Sequence, residues 1–304
     1  MNIDTLEKTA QAMVAPGRGI LAMDESSPTC NKRFEALGIP ATIEMRREYR
    51  TMLVSSSGLG DHIGGAILFD ETLRDNTTDG RPFVQALQEQ GIVPGIKVDT
   101  GAKDLALHPG EKVTEGLDGL GPRLAEYAEL GARFAKWRNV YHITDTNPSR
   151  AAIEANAEVL ARYAAICQSC GVVPIVEPEV LIDGNHSIER SAEVNEAVIN
   201  EVFQALRRHR VELETMILKP SMVTPGNANG QKASPEDVAK HRSLVPPLQP
   251  AQTERAAPNA SEIVRAAALI EESQFPLVLA GNGVLRGRAT SEFLRFIERG
   301  GFPV

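Results

Sequence analysis

The chain has 304 residues, of which 42% are hydrophobic, and a formal net charge of −8 at pH 7. This length suits one large α/β domain or two ordinary ones, and the acidic balance argues against non-specific binding to nucleic acid. No apolar run approaches the roughly 20 residues of a membrane-spanning helix, and residues 1–14 lack the apolar block of a signal peptide. The sequence therefore predicts a cytoplasmic protein without nucleic-acid or membrane partners.

Cysteine and histidine residues give little sign of a redox or metal site. Three cysteines, an odd number, do not form a disulfide framework. Cys167 and Cys170 form a CxxC pair, which leaves a redox role open, although both fall inside a helical pattern. The six histidines are scattered without metal-ligand spacing, so neither a metal nor another cofactor is expected.

In chain order, short apolar runs alternate with helical patterns. The predicted strands cover residues 19–23, 65–69, 93–99, 133–138, 172–179 and 214–218. A polar helix with Arg46, Arg47 and Arg50 follows the first strand, and further helices are predicted over 84–90, 120–131, 151–171 and 191–209. Repeated βα units predict a parallel sheet, either doubly wound or closed into a barrel. No G-x-G-x-x-G follows the first strand, which disfavours a doubly wound nucleotide-binding protein.

Charged residues end five of these strands. They are Asp24, Lys97, Lys136 with Arg138, Glu177 with Glu179, and Lys219. A solvated strand end explains any one of them alone. In a (β/α)8 barrel, however, the carboxyl ends of all strands converge on one mouth, where active sites are built. Five charged strand ends therefore favour an α/β fold of the (β/α)8 TIM-barrel type with a shared polar pocket.

Lys219 ends the apolar run 214–218 and precedes Pro220, which lacks an N–H and cannot continue a central strand. Burial at such a position disfavours a charged ammonium. The neutral amine can attack a carbonyl carbon and form a Schiff base. The alternative is a lysine whose side chain extends from the strand end into solvent.

The other charged strand ends complete a Schiff-base chemistry. A neighbouring positive charge at Lys136 favours the neutral amine of Lys219. Glu177 or Glu179 can act as general acid and base, and Asp24 can accept the hydroxyl proton during carbon–carbon cleavage. Phosphate groups are bound by cations, for which the chain offers Arg33, Lys97 and Arg138. This set predicts the metal-independent aldol cleavage of a phosphorylated keto sugar.

Nine segments follow one another in residues 1–240: LAMDES (21–26), GGAILFDETL (64–73), DGRPF (79–83), GIKVDTG (95–101), TEGLDGL (114–120), FAKWR (134–138), LARYAAICQ (160–168), VPIVEPEVL (173–181) and LKPSMVTPG (218–226). Together they resemble class I fructose-bisphosphate aldolase, for which LKPxMVTPG with VEPE is diagnostic. The resemblance implies a glycolytic lyase that cleaves fructose 1,6-bisphosphate reversibly to dihydroxyacetone phosphate and glyceraldehyde 3-phosphate through a lysine Schiff base. It also implies a homo-oligomer.

The resemblance assigns roles to residues of this chain. It implies Lys219 as the Schiff-base lysine, Glu177 as the proton acceptor, and Asp24 and Lys136 as catalytic partners, with Glu179 supporting them. Substrate contacts are implied for Arg33, Lys97, Arg138 and Ser26.

After residue 242 the resemblance stops. The family continues into a seventh strand with a serine–glycine phosphate loop and an eighth with a Tyr-Gly-Arg turn, and neither motif occurs in residues 243–304. Those residues instead predict a helix (260–273), a strand (276–280), a glycine turn (281–286) and a helix (291–299). This pattern resembles the start of the central domain of thiamine-diphosphate enzymes of the acetolactate-synthase type, as in a natural fusion, an engineered chimera or an assembly artefact. A divergent seventh and eighth βα pair is the alternative.

The sequence thus predicts two parts. Residues 1–242 form an aldolase-type barrel with strands one to six, and residues 243–304 form a helix–strand–helix segment that completes or caps it. The barrel is expected to be incomplete or irregular at strands seven and eight, with Arg286 or Arg288 partly replacing the missing phosphate loop. Activity is expected to be impaired on this side. The alternative is an inactive aldolase remnant that serves as a binding or interaction module.

Overall fold

A computed structural model describes residues 2–244. Its elements follow one another in the order expected of repeated βα units. They are α1 (Ile3–Met13), β1 (Gly19–Met23), α2 (Ser27–Ala36), α3 (Ile43–Val54), α4 (Leu59–His62), β2 (Ile63–Leu68), α5 (Asp70–Leu73), α6 (Phe83–Gln88), β3 (Val93–Lys97), β4 (Gly101–Asp104), β5 (Lys112–Glu115), α7 (Leu120–Glu129), β6 (Phe134–Tyr141), α8 (Arg150–Ser169), β7 (Val173–Val180), α9 (Ile188–Arg208), a 3₁₀ turn (Leu213–Thr215), β8 (Ile217–Leu218) and α10 (Pro235–Leu244).

Six parallel strands form one sheet in the order β1-β2-β3-β6-β7-β8. Between β1 and β6 lie three strand spacings, which would separate them by about 14 Å in a flat sheet. Nevertheless, Asp24, directly after β1, has its Oδ2 2.7 Å from Nζ of Lys136 on β6. The sheet therefore curls into a half-barrel, which confirms the barrel-type α/β fold over an open, doubly wound sheet.

The alternation of side chains along the strands divides the sheet into two faces. Paired positions such as Lys97 with Lys136, and Arg138 with Glu177, show that the charged residues share the concave face. Nearer the amino ends of the strands this face is apolar, and α1 packs against it. The inner cluster consists of Leu6, Ala10, Met13, Ile67, Phe134, Val173 and Ile175. The convex face packs against the surrounding helices, with Met23, Ala66, Leu68, Ile96, Trp137 and Val176 among its buried residues.

Two glycines allow this close inner packing. A Cβ atom on Gly64 would lie 2.6 Å from the carbonyl oxygen of Met13, at the end of α1. A Cβ atom on Gly95 would lie 2.2 Å from the ring of Phe134. Helix α1 and the Phe134 ring can therefore occupy the amino-terminal end of the half-barrel only because both positions lack a side chain.

The strand predicted over 214–218 is correct only in its second half. Residues Leu213–Thr215 form a 3₁₀ turn, and β8 has two residues. The side-chain amide of Gln168 on α8 donates to Glu212 O at 2.8 Å and to Thr215 Oγ1 at 2.7 Å, which holds this segment in a turn. The Lys219 N–H still donates to Val176 O at 2.9 Å, so strand pairing reaches Lys219.

Strands β6 and β7 extend further than predicted. The positively charged residues Lys136 and Arg138 therefore lie inside β6, and the acidic pair Glu177 and Glu179 lies inside β7, rather than at strand ends. The sequence also gave no prediction of α1 or of the antiparallel β4–β5 hairpin. No helix among the described residues combines the length and apolar content needed to cross a membrane. The predicted helix–strand–helix part of residues 243–304, with its glycine turn, Arg286 and Arg288, lies outside the described residues.

Candidate active site

Glu177 connects the two lysines at the centre of the concave face. Its Oε1 accepts a hydrogen bond from Lys219 Nζ, and its Oε2 lies 3.3 Å from Lys136 Nζ. The Glu177 side chain is 5% exposed and that of Lys219 is 46% exposed. Oε2 is buried and accepts no hydrogen bond within residues 2–241. The site thus offers an accessible amine in contact with a buried carboxylate.

Lys136 joins this pair to Asp24, with 2.7 Å between Nζ and Asp24 Oδ2. Burial alone lowers the pKa of Lys136, but the nearby Asp24 and Glu177 carboxylates outweigh it and raise the pKa overall. Lys136 is therefore an ammonium at neutral pH. The sequence predicted that Lys136 would face Lys219 as a repelling charge, whereas Glu177 lies between the two lysines and contacts both.

Glu179 has a different partner from Glu177. Its carboxylate forms a close ion pair with Nε of Arg138, and both side chains are partly exposed. Hydrogen bonding and charge from Glu179 outweigh the effect of burial and raise the pKa of Arg138. The residue types left open which glutamate serves Lys219, the family resemblance implied Glu177, and the contacts also favour Glu177.

Two of the predicted substrate-binding residues lie on or next to α2, directly after Asp24. Ser26 is the N-cap residue of α2, and its Oγ is 3.0 Å from Thr29 Oγ1. Arg33, in the last turn of α2, forms a close ion pair with Glu25. The third cation, Lys97, is the strand neighbour of Lys136 and lies 2.7 Å from Asp99 Oδ1.

A cluster that the sequence did not assign to the site supports the segment after β1. Glu71 binds Arg46 through two hydrogen bonds of 2.8 and 2.7 Å and lies 3.3 Å from Arg50. Arg50, which is fully buried, donates through Nη2 to the main-chain oxygen of Glu25 at 2.6 Å. The only sequence signals were three arginines in one helix and an acidic DET after β2.

The loop after Lys219 is fastened to the loop after β7. Ser221 Oγ accepts the N–H of Val180 at 2.6 Å, and Gly226 N–H donates to His186 O at 2.9 Å. A Cβ atom on Gly226 would lie 2.2 Å from Gly184 O. The segment 218–226 therefore fixes the backbone on both sides of Lys219, which accounts for its serine and final glycine.

Neither a redox pair nor a metal site emerges from the other candidate groups. Cys167 is fully buried in α8, and burial raises the pKa of its thiol, so it remains protonated. Within residues 2–241, no three His, Cys, Asp or Glu side chains are grouped closely enough to hold a metal ion. Metal-independent chemistry remains a prediction.

Comparison with known proteins agrees with this geometry. The family model described as fructose-bisphosphate aldolase class-I matches residues 5–251. A probable fructose-bisphosphate aldolase class 1 of Xanthomonas campestris pv. campestris is 55% identical over 255 residues, 82% of this chain and 76% of the relative. The cytosolic aldolase 7 of Arabidopsis thaliana is 51% identical over 252 residues, 81% and 70% of the two chains. The chloroplastic aldolase 3 of the same plant is 52% identical, covering 81% and 64%.

A solved structure gives the same result. The aldolase of Plasmodium falciparum, in complex with TRAP and a small-molecule inhibitor, superposes with a TM-score of 0.78 and 47% identity over 80% of this chain and 70% of that one. At such identity and coverage both fold and family are shared. The chain belongs to the class I fructose-bisphosphate aldolases, a family of lyases.

Proposed function

We propose that Lys219 is the Schiff-base lysine of this aldolase and that Glu177, Lys136 and Asp24 handle protons and charge around it. The unbroken run of contacts from Lys219 through Glu177 and Lys136 to Asp24 supports this proposal. The reaction is that of the family, the reversible cleavage of fructose 1,6-bisphosphate into dihydroxyacetone phosphate and glyceraldehyde 3-phosphate in glycolysis.

In the first stage, Glu177 accepts a proton from Lys219 and the neutral amine attacks the C2 carbonyl carbon of the sugar. Glu177 then returns a proton to the carbinolamine hydroxyl, which leaves as water and gives the iminium. A buried carboxylate in contact with the reacting amine suits both transfers, because it needs no movement between them.

In the second stage, Asp24 accepts the proton of the C4 hydroxyl and the C3–C4 bond breaks. The bonding electrons pass to the iminium and form an enamine, while the aldehyde product departs. The Lys136 ammonium lies 2.7 Å from Asp24 Oδ2 and holds this carboxylate in place beside the reacting centre. Protonation of the enamine and hydrolysis then release the ketone product and Lys219.

The phosphate groups of the sugar bind to cations around this centre, namely Arg33, Lys97 and Arg138, together with the hydroxyl of Ser26. Arg33 and Arg138 are each paired with one carboxylate and remain substantially exposed. A phosphate dianion carries more charge than a carboxylate and can accept two parallel hydrogen bonds from one guanidinium. It can therefore compete with Glu25 for Arg33 and with Glu179 for Arg138. Glu179, released from Arg138, then supports the acid–base chemistry of Glu177.

Residues 243–304 form a separate part, and we infer that they derive from a thiamine-diphosphate enzyme. The family model reaches residue 251, somewhat beyond the predicted boundary at 242. The motifs of the seventh and eighth strands are absent from 243–304. An experimental structure of the full chain is the test. Two further strands paired between β8 and β1, with Arg286 or Arg288 beside Lys219, would contradict this origin.

The oligomeric state rests on family resemblance, and the compartment rests on the prediction from the sequence. We propose a cytoplasmic homo-oligomer, as the sequence predicted. The Arabidopsis relatives include one named cytosolic and one named chloroplastic, so the family occurs in both compartments. Light scattering on a size-exclusion column measures the oligomeric state directly, and a single monomer peak across concentrations would contradict the proposal.

Borohydride trapping tests the function itself. Reduction in the presence of dihydroxyacetone phosphate is expected to fix the ketone to Lys219, as located by mass spectrometry, and to leave Lys219→Ala unlabelled. Lys8→Ala, at the opposite end of the half-barrel on α1, is the matched control and should label normally. Turnover is expected to be unaffected by EDTA. Labelling spread over surface lysines would favour the inactive remnant that serves as a binding module.

A further inference from the structure

Asp99 is a buried carboxylate next to the site that the proposed function does not use. It follows β3, and its side chain is 3% exposed. Its Oδ1 lies 2.7 Å from Nζ of Lys97, and the same ammonium donates to the main-chain oxygen of Asp99 at 2.9 Å. Within the described part of the chain, no other carboxylate lies within ion-pair distance of Lys97. One residue therefore binds this lysine twice.

The backbone holds the Asp99 carboxylate in place. Gly101 N–H donates to Oδ1 at 3.2 Å, and Arg138 N–H donates to Oδ2 at 3.5 Å. Gly101 opens the β4–β5 hairpin with a φ of +100°, a conformation that residues with a side chain rarely adopt. Because two elements fix the carboxylate independently of Lys97, Asp99 orients the lysine rather than the reverse.

The cations near Lys97 have carboxylate partners of their own. Lys97 and Lys136 are strand neighbours on the concave face, and Arg138 lies two residues beyond Lys136 on the same face. Lys136 is paired with Asp24 and Glu177, and Arg138 with Glu179. Those three carboxylates are engaged by other cations, so Asp99 is the anionic partner of Lys97 within the described residues.

An ammonium has three N–H donors, and Asp99 accepts two of those of Lys97. Building on the proposed function, we propose that Asp99 is a positioning residue: its fixed carboxylate and carbonyl hold the Lys97 ammonium so that the third N–H is directed to a phosphate oxygen of the sugar. Asp99 touches neither the substrate nor the reacting atoms in this role.

Asp99→Asn is the first test, because asparagine keeps the shape and one acceptor but loses the charge. The KM for fructose 1,6-bisphosphate is expected to rise about 10- to 100-fold, the range for one charge-assisted hydrogen bond. The kcat should stay close to that of the unmodified enzyme, as for loss of uniform binding. Asp104→Asn is the matched control, since Asp104 pairs with Lys112 on the exposed hairpin; its KM should not change.

A double mutant separates positioning from general structural support. If Asp99 acts through Lys97, Asp99→Asn should have no further effect on KM in a Lys97→Met background. Additive effects, or an unchanged KM in Asp99→Asn, would overturn the inference. Should Asp99→Asn fail to fold, Asp99→Glu keeps the charge but displaces it by one methylene, and an unchanged KM there would equally overturn it. Failure of the unmodified enzyme to label at Lys219 would instead refute the proposed function.

Discussion

At the scale of single residues, Glu177 determines how the site is connected. One oxygen contacts the accessible Lys219 and the other faces the buried Lys136. The carboxylate therefore balances two positive charges. Glu179, two residues later on the same face, is paired with Arg138 instead. The two glutamates should consequently differ in their effect on turnover.

Glu177→Gln is expected to lower kcat for fructose 1,6-bisphosphate by roughly 10²–10⁴, the usual contribution of general acid–base catalysis. Glutamine retains the size of the side chain, so the thermal transition should be preserved. Steady-state kinetics at saturating substrate measure the effect, with Glu179→Gln as the matched control. If Glu179→Gln lowers kcat as much as Glu177→Gln does, the assignment of the acid–base role to Glu177 fails.

A second residue-scale effect concerns acid stability. Hydrogen bonds from Arg46 hold the pKa of Glu71 below its ordinary value. A carboxyl group whose pKa is lower in the folded state stabilises the fold above its ordinary pKa of about 4.3. That contribution is lost as the pH falls through the lowered value.

Glu71→Gln is therefore expected to lower the free energy of unfolding at pH 7, by about 1.5–3 kcal/mol for a lost hydrogen bond to a charged group. As the pH falls below about 5, into the range where free carboxylates titrate, the free energy of unfolding should decrease less for the variant than for the unmodified chain. Urea unfolding across this range measures both, with the exposed Glu129→Gln on α7 as control. Parallel pH curves for Glu71→Gln and the unmodified chain would rule out this linkage.

The sequence singled out the charged strand residues that the fold brings together, but not the residues that contact and support them. Lys219 and Glu177 were readable because a charge in an otherwise apolar strand requires an explanation. Asp99 and Glu71 were not, since their roles depend on the main-chain groups and arginines that folding brings near them. The residue types alone left the choice between Glu177 and Glu179 open, because both lie on the same face of β7, whereas the family resemblance implied Glu177.

At the scale of elements, α1 closes the amino-terminal end of the half-barrel. Leu6, Ala10 and Met13 lie on one side of this helix and are buried in the inner apolar cluster with Phe134 and Ile175. The charged residues occupy the same concave face nearer the carboxyl ends of the strands. The helix thus fills the space below the site and excludes water from that end.

Leu6→Ala is expected to reduce the free energy of unfolding by about 2–5 kcal/mol, as for other large-to-small substitutions in a core. Leu6 is 1% exposed, whereas Ile3 on the same helix is 43% exposed. Ile3→Ala should therefore reduce the free energy of unfolding by well under half as much as Leu6→Ala does. Chemical denaturation of both variants gives the comparison, and equal losses would show that α1 is not anchored through its inner face.

Element predictions succeeded where periodicity was strong and failed where local polar contacts decided the backbone. The long helices α8 and α9 and strand β7 were predicted to within a few residues. The β4–β5 hairpin was missed because both strands are short and mostly exposed. The 3₁₀ turn before β8 depends on Gln168, some 45 residues earlier in the chain, and no local pattern could reveal it.

At the scale of the whole molecule, the described residues form six curled parallel strands. Within that part of the chain, β1 and β8 each pair on one side only. Residues 243–304 lack the serine–glycine loop and the Tyr-Gly-Arg turn that the family places on strands seven and eight. The sequence predicted the barrel type correctly, whereas the family model reaches residue 251, beyond the predicted end of the family pattern at 242. Glu177 lies on β7 and Lys219 directly follows β8, and both partners of their contact are described residues.

Replacing residues 243–304 with the corresponding C-terminal segment of the Xanthomonas campestris relative is expected to lower the KM for fructose 1,6-bisphosphate by about two powers of ten or more. Each charge-assisted phosphate hydrogen bond contributes roughly 1.5–3 kcal/mol, and the missing loop and turn would supply two or three. Borohydride labelling of Lys219 should occur in both proteins, because the Lys219–Glu177 contact does not depend on the grafted segment. A graft whose Tyr-Gly-Arg arginine is changed to methionine is the control and should regain only part of the affinity. A folded graft with an unchanged KM would contradict the expectation that residues 243–304 lack a phosphate site of their own.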